Sequence, residues 1–300
     1  MNRFLFAASL LLGSLAPALA QRLITQTAAL RDGQGVFLDL KHAHRIRVRP
    51  GGAGLAVQAT VVVNNNERND AVSLKLEQSA AEVSVVETLD ESLLRKFQFS
   101  GECNGRSSSN GGSNGKSGGT YNWNNGDAGK GYRYCLQIDY EVTLPAGTDL
   151  RLATITGNLD LQDLTGEITA KTVSGDLRFA GLSGAVTART ISGDAKVTHR
   201  GPRAVNVKTV SGDVQLTTEN GAATDVASVS GNVDVTWPAA EGADLSLRSV
   251  TGEVYADPAV TFSNRRAHSL VGYTLKGTLG SGGPLVQIDS VSGDVFFRKQ

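Results

Sequence analysis

From residue 150 onward, apolar residues alternate with polar ones in short runs, and the runs themselves recur. Two positions after a series of glycines stand Leu159, Leu177, Ala195, Val214, Val233, Val254 and Val295; four positions after them stand Leu161, Phe179, Val197, Leu216, Val235, Ala256 and Phe297. This two-residue period predicts a strand with one face buried. A second run lies seven and five positions ahead of each glycine: Leu150 and Leu152, Ile168 and Ala170, Val186 and Ala188, Val205 and Val207, Thr224 and Val226, Leu245 and Leu247, Val286 and Ile288. The chain thus promises two strands for every glycine.

Each glycine sits in a pentad of hydroxyl, apolar, hydroxyl, Gly, and acid or amide, from Thr154-Ile155-Thr156-Gly157-Asn158 to Ser290-Val291-Ser292-Gly293-Asp294. The pentad glycines, Gly157, Gly175, Gly193, Gly212, Gly231, Gly252 and Gly293, are 18, 18, 19, 19, 21 and 41 residues apart. A fixed period of this size is the mark of a stacked repeat. Weaker turns at Gly166, Gly184, Gly201 and Gly221 complete each unit. The predicted fold class is all-β, a parallel β-solenoid (β-helix) of about 18–19 residues per regular coil, with inward side chains stacked about 4.8 Å apart. The glycine tolerates positive φ at the main corner, and the Asp or Asn beside it can bond its own backbone in an Asx turn. The apolar pentad column, with Val173, Ile191, Val210 and Val229, is expected to form a buried ladder. A bend near Lys171 and Thr172 would accommodate the irregular step from Ala170 to Val173, which leaves the direction of the leading hydroxyl column open.

Residues 21–149 carry β patterning without the pentad, with strands expected over 36–40, 44–49, 55–63, 71–76, 82–88 and 134–144. They are either irregular first coils of the solenoid or a cap on it. The Gly/Ser/Asn-rich tract 101–131 cannot bury a core and is expected to be a mobile loop. Residues 1–20 have the form of a signal peptide, with Arg3, an apolar stretch over 4–15 and Ala18-Leu19-Ala20 before Gln21. Export to the periplasm, cell surface or exterior follows as an expectation, with no transmembrane segment after it. In that oxidising setting Cys103 and Cys135, the only cysteines, are expected to form a disulfide at the base of the tract. At the other end, Arg298 and Lys299 would guard an open strand edge.

The lead-in Ile138-Asp139-Tyr140-Glu141-Val142-Thr143-Leu144-Pro145-Ala146-Gly147-Thr148-Asp149-Leu150, followed by Thr154-Ile155-Thr156-Gly157 and the serial Val-Ser-Gly-Asp repeats, resembles the bacterial putative-adhesin family, otherwise a domain of unknown function. The resemblance spans about residues 36–300. It implies a right-handed parallel β-solenoid at the cell envelope and carries no catalytic residues.

Composition agrees with one extended β architecture: 35 glycines, a single Met and 6% aromatic residues in 300 leave little for a helical core. Formal net charge is zero, so there is no global attraction to nucleic acid. The charge is nevertheless divided along the chain. Residues 171–208 hold Lys171, Arg178, Arg189, Lys196, Arg200, Arg203 and Lys208 against Asp176 and Asp194, whereas 209–261 are acidic apart from Arg248. Lys171, Arg189 and Lys208 share one column, four residues before successive glycines, and should form a cation ladder. These seven cations are the candidate binding face, with an envelope glycan, a wall polymer, another protein or another copy of the chain as partner. Screened by neighbouring acids, they would be only a solvated surface.

Sharper motifs lead nowhere decisive. Gly115-Lys116-Ser117 lacks the earlier glycine and the strand-loop-helix context of a phosphate loop. His42 and His44 would share a strand face, where an unaided pair is usually solvated; His199 and His268 have no evident partners. Calcium would need a denser glycine repeat than this Asp column has, and an ice-binding Thr-x-Thr ladder is disfavoured because its middle position reads as core, its geometry is bent and small hydroxyl residues suit a tight corner anyway. Asp160 and Asp163 are a carboxylate pair of no special meaning in so acidic a repeat. The favoured function is a non-enzymatic exported envelope protein, adhesin-like, offering a repetitive surface and using no cofactor or metal. The alternative is a carbohydrate-active β-helix enzyme, a polysaccharide lyase or hydrolase, with walls built from the 101–131 loop and the 257–283 insertion.

Overall fold

The computed structural model describes residues 21–96, 119–123, 132–263, 267–268 and 273–300. The signal-like segment, Cys103 and Gly115-Lys116-Ser117 lie outside the described residues. Two sheets face one another, and the columns read from the sequence fill the space between them. In the front sheet Leu159, Leu177, Ala195, Val214, Val233, Val295 and Val254 follow one another in parallel register. In the back sheet the corresponding row is Leu152, Ala170, Ala188, Val207, Val226, Ile288 and Leu247. Nearly all of these side chains are buried, so each coil contributes to a continuous apolar core. The molecule is a β-solenoid of long parallel strand stacks.

Spatial order departs from chain order at both ends. The last coil, Leu285–Ser292 with Val295–Lys299, is inserted between the coil of Thr224–Ser230 and that of Ala243–Ser249. Val295–Lys299 is therefore flanked on both sides, and the outermost front strand is the short Val254–Ala256. Arg298 does not guard an edge, contrary to expectation: it pairs with Asp234 at 3.2 Å and covers the Phe296 ring at 5.1 Å. Part of the 257–283 insertion, Tyr273–Leu279, lies antiparallel on Ala243–Ser249. At the N-terminal end the coil of Gly35–Asp39 and Arg45–Pro50 is likewise enclosed, between Leu150–Ala153 with Asn158–Gln162 on one side and Glu82–Leu89 with Tyr132–Leu144 on the other. Antiparallel strands then close the stack, including Arg22–Ala29, which the pattern reading had not anticipated. No described helix is long and apolar enough to cross a membrane.

Candidate functional site

The main corner is where outward chemistry repeats, and its orientation is set by the pleat of the back strand. In Val186–Ser192 the alternation does not break at the bend: Val186, Ala188 and Thr190 all point inward. The following Ile191 must therefore face out. The same holds for Ile155, Val173, Val210, Val229 and Val291, which are 44–47% exposed. The expected buried ladder of Val173, Ile191, Val210 and Val229 is thus a solvent-facing one. The three-residue step from Ala188 to Ile191 crosses from one face to the other and needs no bulge.

The leading hydroxyl column is buried instead. Ser228 Oγ donates to the Gly212 carbonyl at 3.0 Å, Ser290 to Gly231 at 3.0 Å and Ser249 to Gly293 at 3.0 Å. These corners thereby satisfy a carbonyl of the neighbouring coil, as Thr190 and Thr209 also do, which favours a small hydroxyl residue there over a larger apolar one. Thr154 instead bonds Thr156 of its own pentad, and buried Thr172 Oγ1 has no partner among the described residues. With these hydroxyls inward, the double outward row that an ice-binding face needs is not formed. Gly193 shows why the next position is glycine: its φ is 137°, and a Cβ there would collide with the Gly175 carbonyl of the neighbouring coil.

The acid or amide after each glycine links coils, rather than closing a turn on its own backbone. Asn158 Oδ1 accepts from the Asp176 amide at 2.9 Å, Asp194 Oδ1 from Asp213 at 2.8 Å, Asp213 Oδ1 from Asn232 at 2.7 Å, and Asp294 Oδ1 from Glu253 at 2.9 Å. The row borders a groove of about 440 Å³ on the front sheet, lined by Asp176, Arg178, Asp194, Lys196, Asp213, Gln215, Asn232, Asp234 and Phe296 among others. At its far end Phe296 stacks on Tyr255, with ring centroids 4.9 Å apart and planes 6° from parallel.

The seven candidate cations are distributed over three surfaces. Arg178 and Lys196 are neighbours on the front sheet and line this groove. Lys171, Arg189 and Lys208 are in register on the outer face of the back sheet, as the column predicted. Arg200 and Arg203 lie at the second turn, where Arg200 reaches Asp163 at 3.4 Å and Glu219 at 3.2 Å. Asp160 is engaged by Arg49 at 3.0 Å.

The histidines are better held than an unaided solvated pair. His42 Nδ1 lies 2.6 Å from Oε1 of fully buried Glu87, whose other oxygen accepts the Tyr140 hydroxyl at 2.7 Å. His44 Nδ1 lies 2.9 Å from Asp139. Burial, reinforced by Glu87, raises the Tyr140 phenol well above its ordinary range. Buried His199 meets the Gly184 carbonyl at 2.8 Å, and burial lowers its pKa. The partners of His42 and His44 come from strands distant in sequence, so no local pattern could have revealed them. Cys135 is buried on Tyr132–Leu144.

A putative cell adhesion protein from Clostridium sporogenes ATCC 15579 has a structure similar to this one at 11% identity, covering 94% of this chain and 100% of that chain with a TM-score of 0.40. No curated protein matches the chain. The Toastrack DUF4097 model matches residues 140–297, more than half of the 300 residues, and the chain belongs to that family, whose function is unknown.

Proposed function

We propose that the chain is a non-enzymatic, exported protein of the cell envelope that holds an extended glycan along its front sheet. The groove carries this reading. Its carboxylate and amide row accepts hydroxyl donors, while Arg178, Lys196 and Gln215 supply donors. Beyond its far end, exposed Tyr255, backed by Phe296, offers an aromatic face of the kind that covers a sugar. Polymeric ligands suit a site whose chemistry repeats at each coil. Hydrolysis by a carboxylate pair would instead require two carboxylates in contrasting environments. Here the row makes the same inter-coil bond at one level after another, which favours holding over cleaving.

Export is supported by the N-terminal segment, and a Cys103–Cys135 disulfide belongs to the same proposal. Thiol titration of the secreted protein without reductant should detect no free cysteine; two reactive thiols would count against it. For the glycan, binding to anionic and neutral polysaccharides across a salt series is the decisive measurement. Phe296→Ala with Gln215→Ala should weaken binding about tenfold, the scale of a lost stacking contact. Binding unchanged by both substitutions would remove the groove from consideration, and product release would restore the enzyme reading.

A further inference from the structure

Around the main corner each coil presents three outward positions. One lies four residues before the glycine on the back sheet, one two residues before it at the apex, and one immediately after it beside the front sheet. The apex residues, in spatial order, are Ile155, Val173, Ile191, Val210, Val229, Val291 and Val250. All are β-branched. All but half-buried Val250 are close to half exposed. At about 4.8 Å per coil they make a continuous apolar stripe, the kind of surface a soluble protein seldom leaves uncovered.

The two flanks of the stripe are matched level by level. Where the back flank is Lys171, Arg189, Lys208 or Arg248, the front flank is Asp176, Asp194, Asp213 or Glu253. Where the back flank is Ala153 or Ala227, the front flank is uncharged Asn158 or Asn232. One coil departs from this, with Asp289 and Asp294, and there Arg248 stands beside Asp289 in the register. The match is not used within one chain. Lys208 pairs with Asp225 at 2.6 Å and Asp176 with Arg178 at 3.7 Å. Among the described residues no ion pair crosses the stripe, and Lys171, Arg189, Asp194 and Asp213 enter none.

We propose that this stripe is a self-association face, on which a second copy lies parallel to the first about a twofold axis running along the stripe. That operation sets each apex residue against its own counterpart. It also sets the back flank of one copy against the front flank of the other at the same level, so cation meets acid at four levels, Ala meets Asn at two, and Asp289 meets Asp294 at one, beside Arg248. An antiparallel twofold would place Lys208 against Lys208, Asp213 against Asp213 and Asp176 against Asp294, gaining only Lys171 against Asp289. Apolar burial drives the association, and the flanking charges select its direction. The two sites share the Asp176, Asp194, Asp213 and Asn232 row, but Gln215 and Phe296 belong to the groove alone and the apex residues to the stripe alone, so substitutions at these let glycan binding and self-association fail separately.

Sedimentation should show a dimer of the mature chain that weakens as salt is raised. Val173→Cys, Val210→Cys and Val291→Cys, tested singly under mild oxidation, should each yield a reducible cross-linked dimer. The parent chain and Gln215→Cys, on the front sheet, should not. An antiparallel dimer would cross-link only through Val210→Cys, near the middle of the stripe, and that result would overturn the proposal. Ile191→Ser with Val210→Ser should raise the dimer dissociation constant at least tenfold while circular dichroism stays unchanged, and so should Lys171→Glu with Arg189→Glu and Lys208→Glu. A monomer at every concentration, or a dimer indifferent to both sets, would equally overturn it.

Discussion

At the scale of single residues, a one-position error in reading the pentad inverts the consequence of a substitution. Val207 is buried completely and Val210, three residues on, is 46% exposed. Val207→Ser should therefore cost roughly 2–4 kcal/mol through lost packing and a buried hydroxyl, whereas Val210→Ser should change monomer stability by no more than about 0.5 kcal/mol. Urea unfolding of both variants at low protein concentration checks this, and equal losses would mean that the corner is misassigned. His199 offers a second test. Its ring is held neutral by burial beside Gly184, so the folded chain resists a proton that the unfolded chain accepts below about pH 6.5. Its folded-state pKa is depressed, so the stabilising contribution is complete above that pH and is lost as pH falls through the folded value. Replacing it, as in His199→Gln, should flatten the acid limb of a stability profile below about pH 6.5; an unchanged slope would assign the limb to other groups.

At the scale of elements, alternation and period made the strands legible, because both follow from side chains pointing to opposite faces. The inward columns Leu159 to Val295 and Leu152 to Ile288 lie where the pattern placed them. The corner was not legible. Val and Ile are equally at home in a core and on an exposed strand position, and Thr is equally at home facing water and bonding a buried carbonyl. The back strand's pleat, carried unbroken through the pentad, decides between them, and in most coils the neighbouring glycine carbonyl then accepts the inward hydroxyl. Linking coils through an Asp or Asn oxygen makes a specific claim about chemistry. Asp213→Asn keeps an acceptor for the Asn232 amide, as Asn158 already does for Asp176, and should be nearly neutral for the monomer. Asp213→Ala removes the acceptor and should cost about 1–2 kcal/mol in urea unfolding. If the two variants lose the same amount, the carboxylate's charge matters and not the ladder. The N-terminal coil has its own signature in Tyr140, whose phenol is raised by burial and by Glu87. Stability it contributes is present below about pH 10 and lost as pH rises beyond that toward the folded value, so Tyr140→Phe should lessen alkaline unfolding even as it leaves Glu87 one donor short.

At the scale of the whole molecule, the order of coils in space was hidden because every coil carries the same columns. Strand Thr224–Ser230 could pair as well with Ala243–Ser249 as with Leu285–Ser292, and only the long gap between Gly252 and Gly293 hinted that the chain leaves and returns. The return changes how the solenoid should come apart. In a simple repeat array the last unit can be removed and its neighbours keep their contacts, since each coil touches only those beside it in sequence. Here the last coil in sequence is interior. It bonds Thr224–Ser230 on one side and Ala243–Ser249 on the other, and its Phe297 packs beside Trp237 with ring centroids 6.4 Å apart. Deleting residues 285–300 would uncover strands on both sides at once and leave the Ala243–Ser249 coil without its parallel neighbour. Such a truncation should lose amide protection across 224–256 in hydrogen exchange, while strands near the middle, such as Ile168–Lys171, keep theirs. Loss confined to residues beyond 243 would mean that the inserted coil is a late addition to a stack already stable without it. Retained protection at 224–237 would therefore refute the interlock.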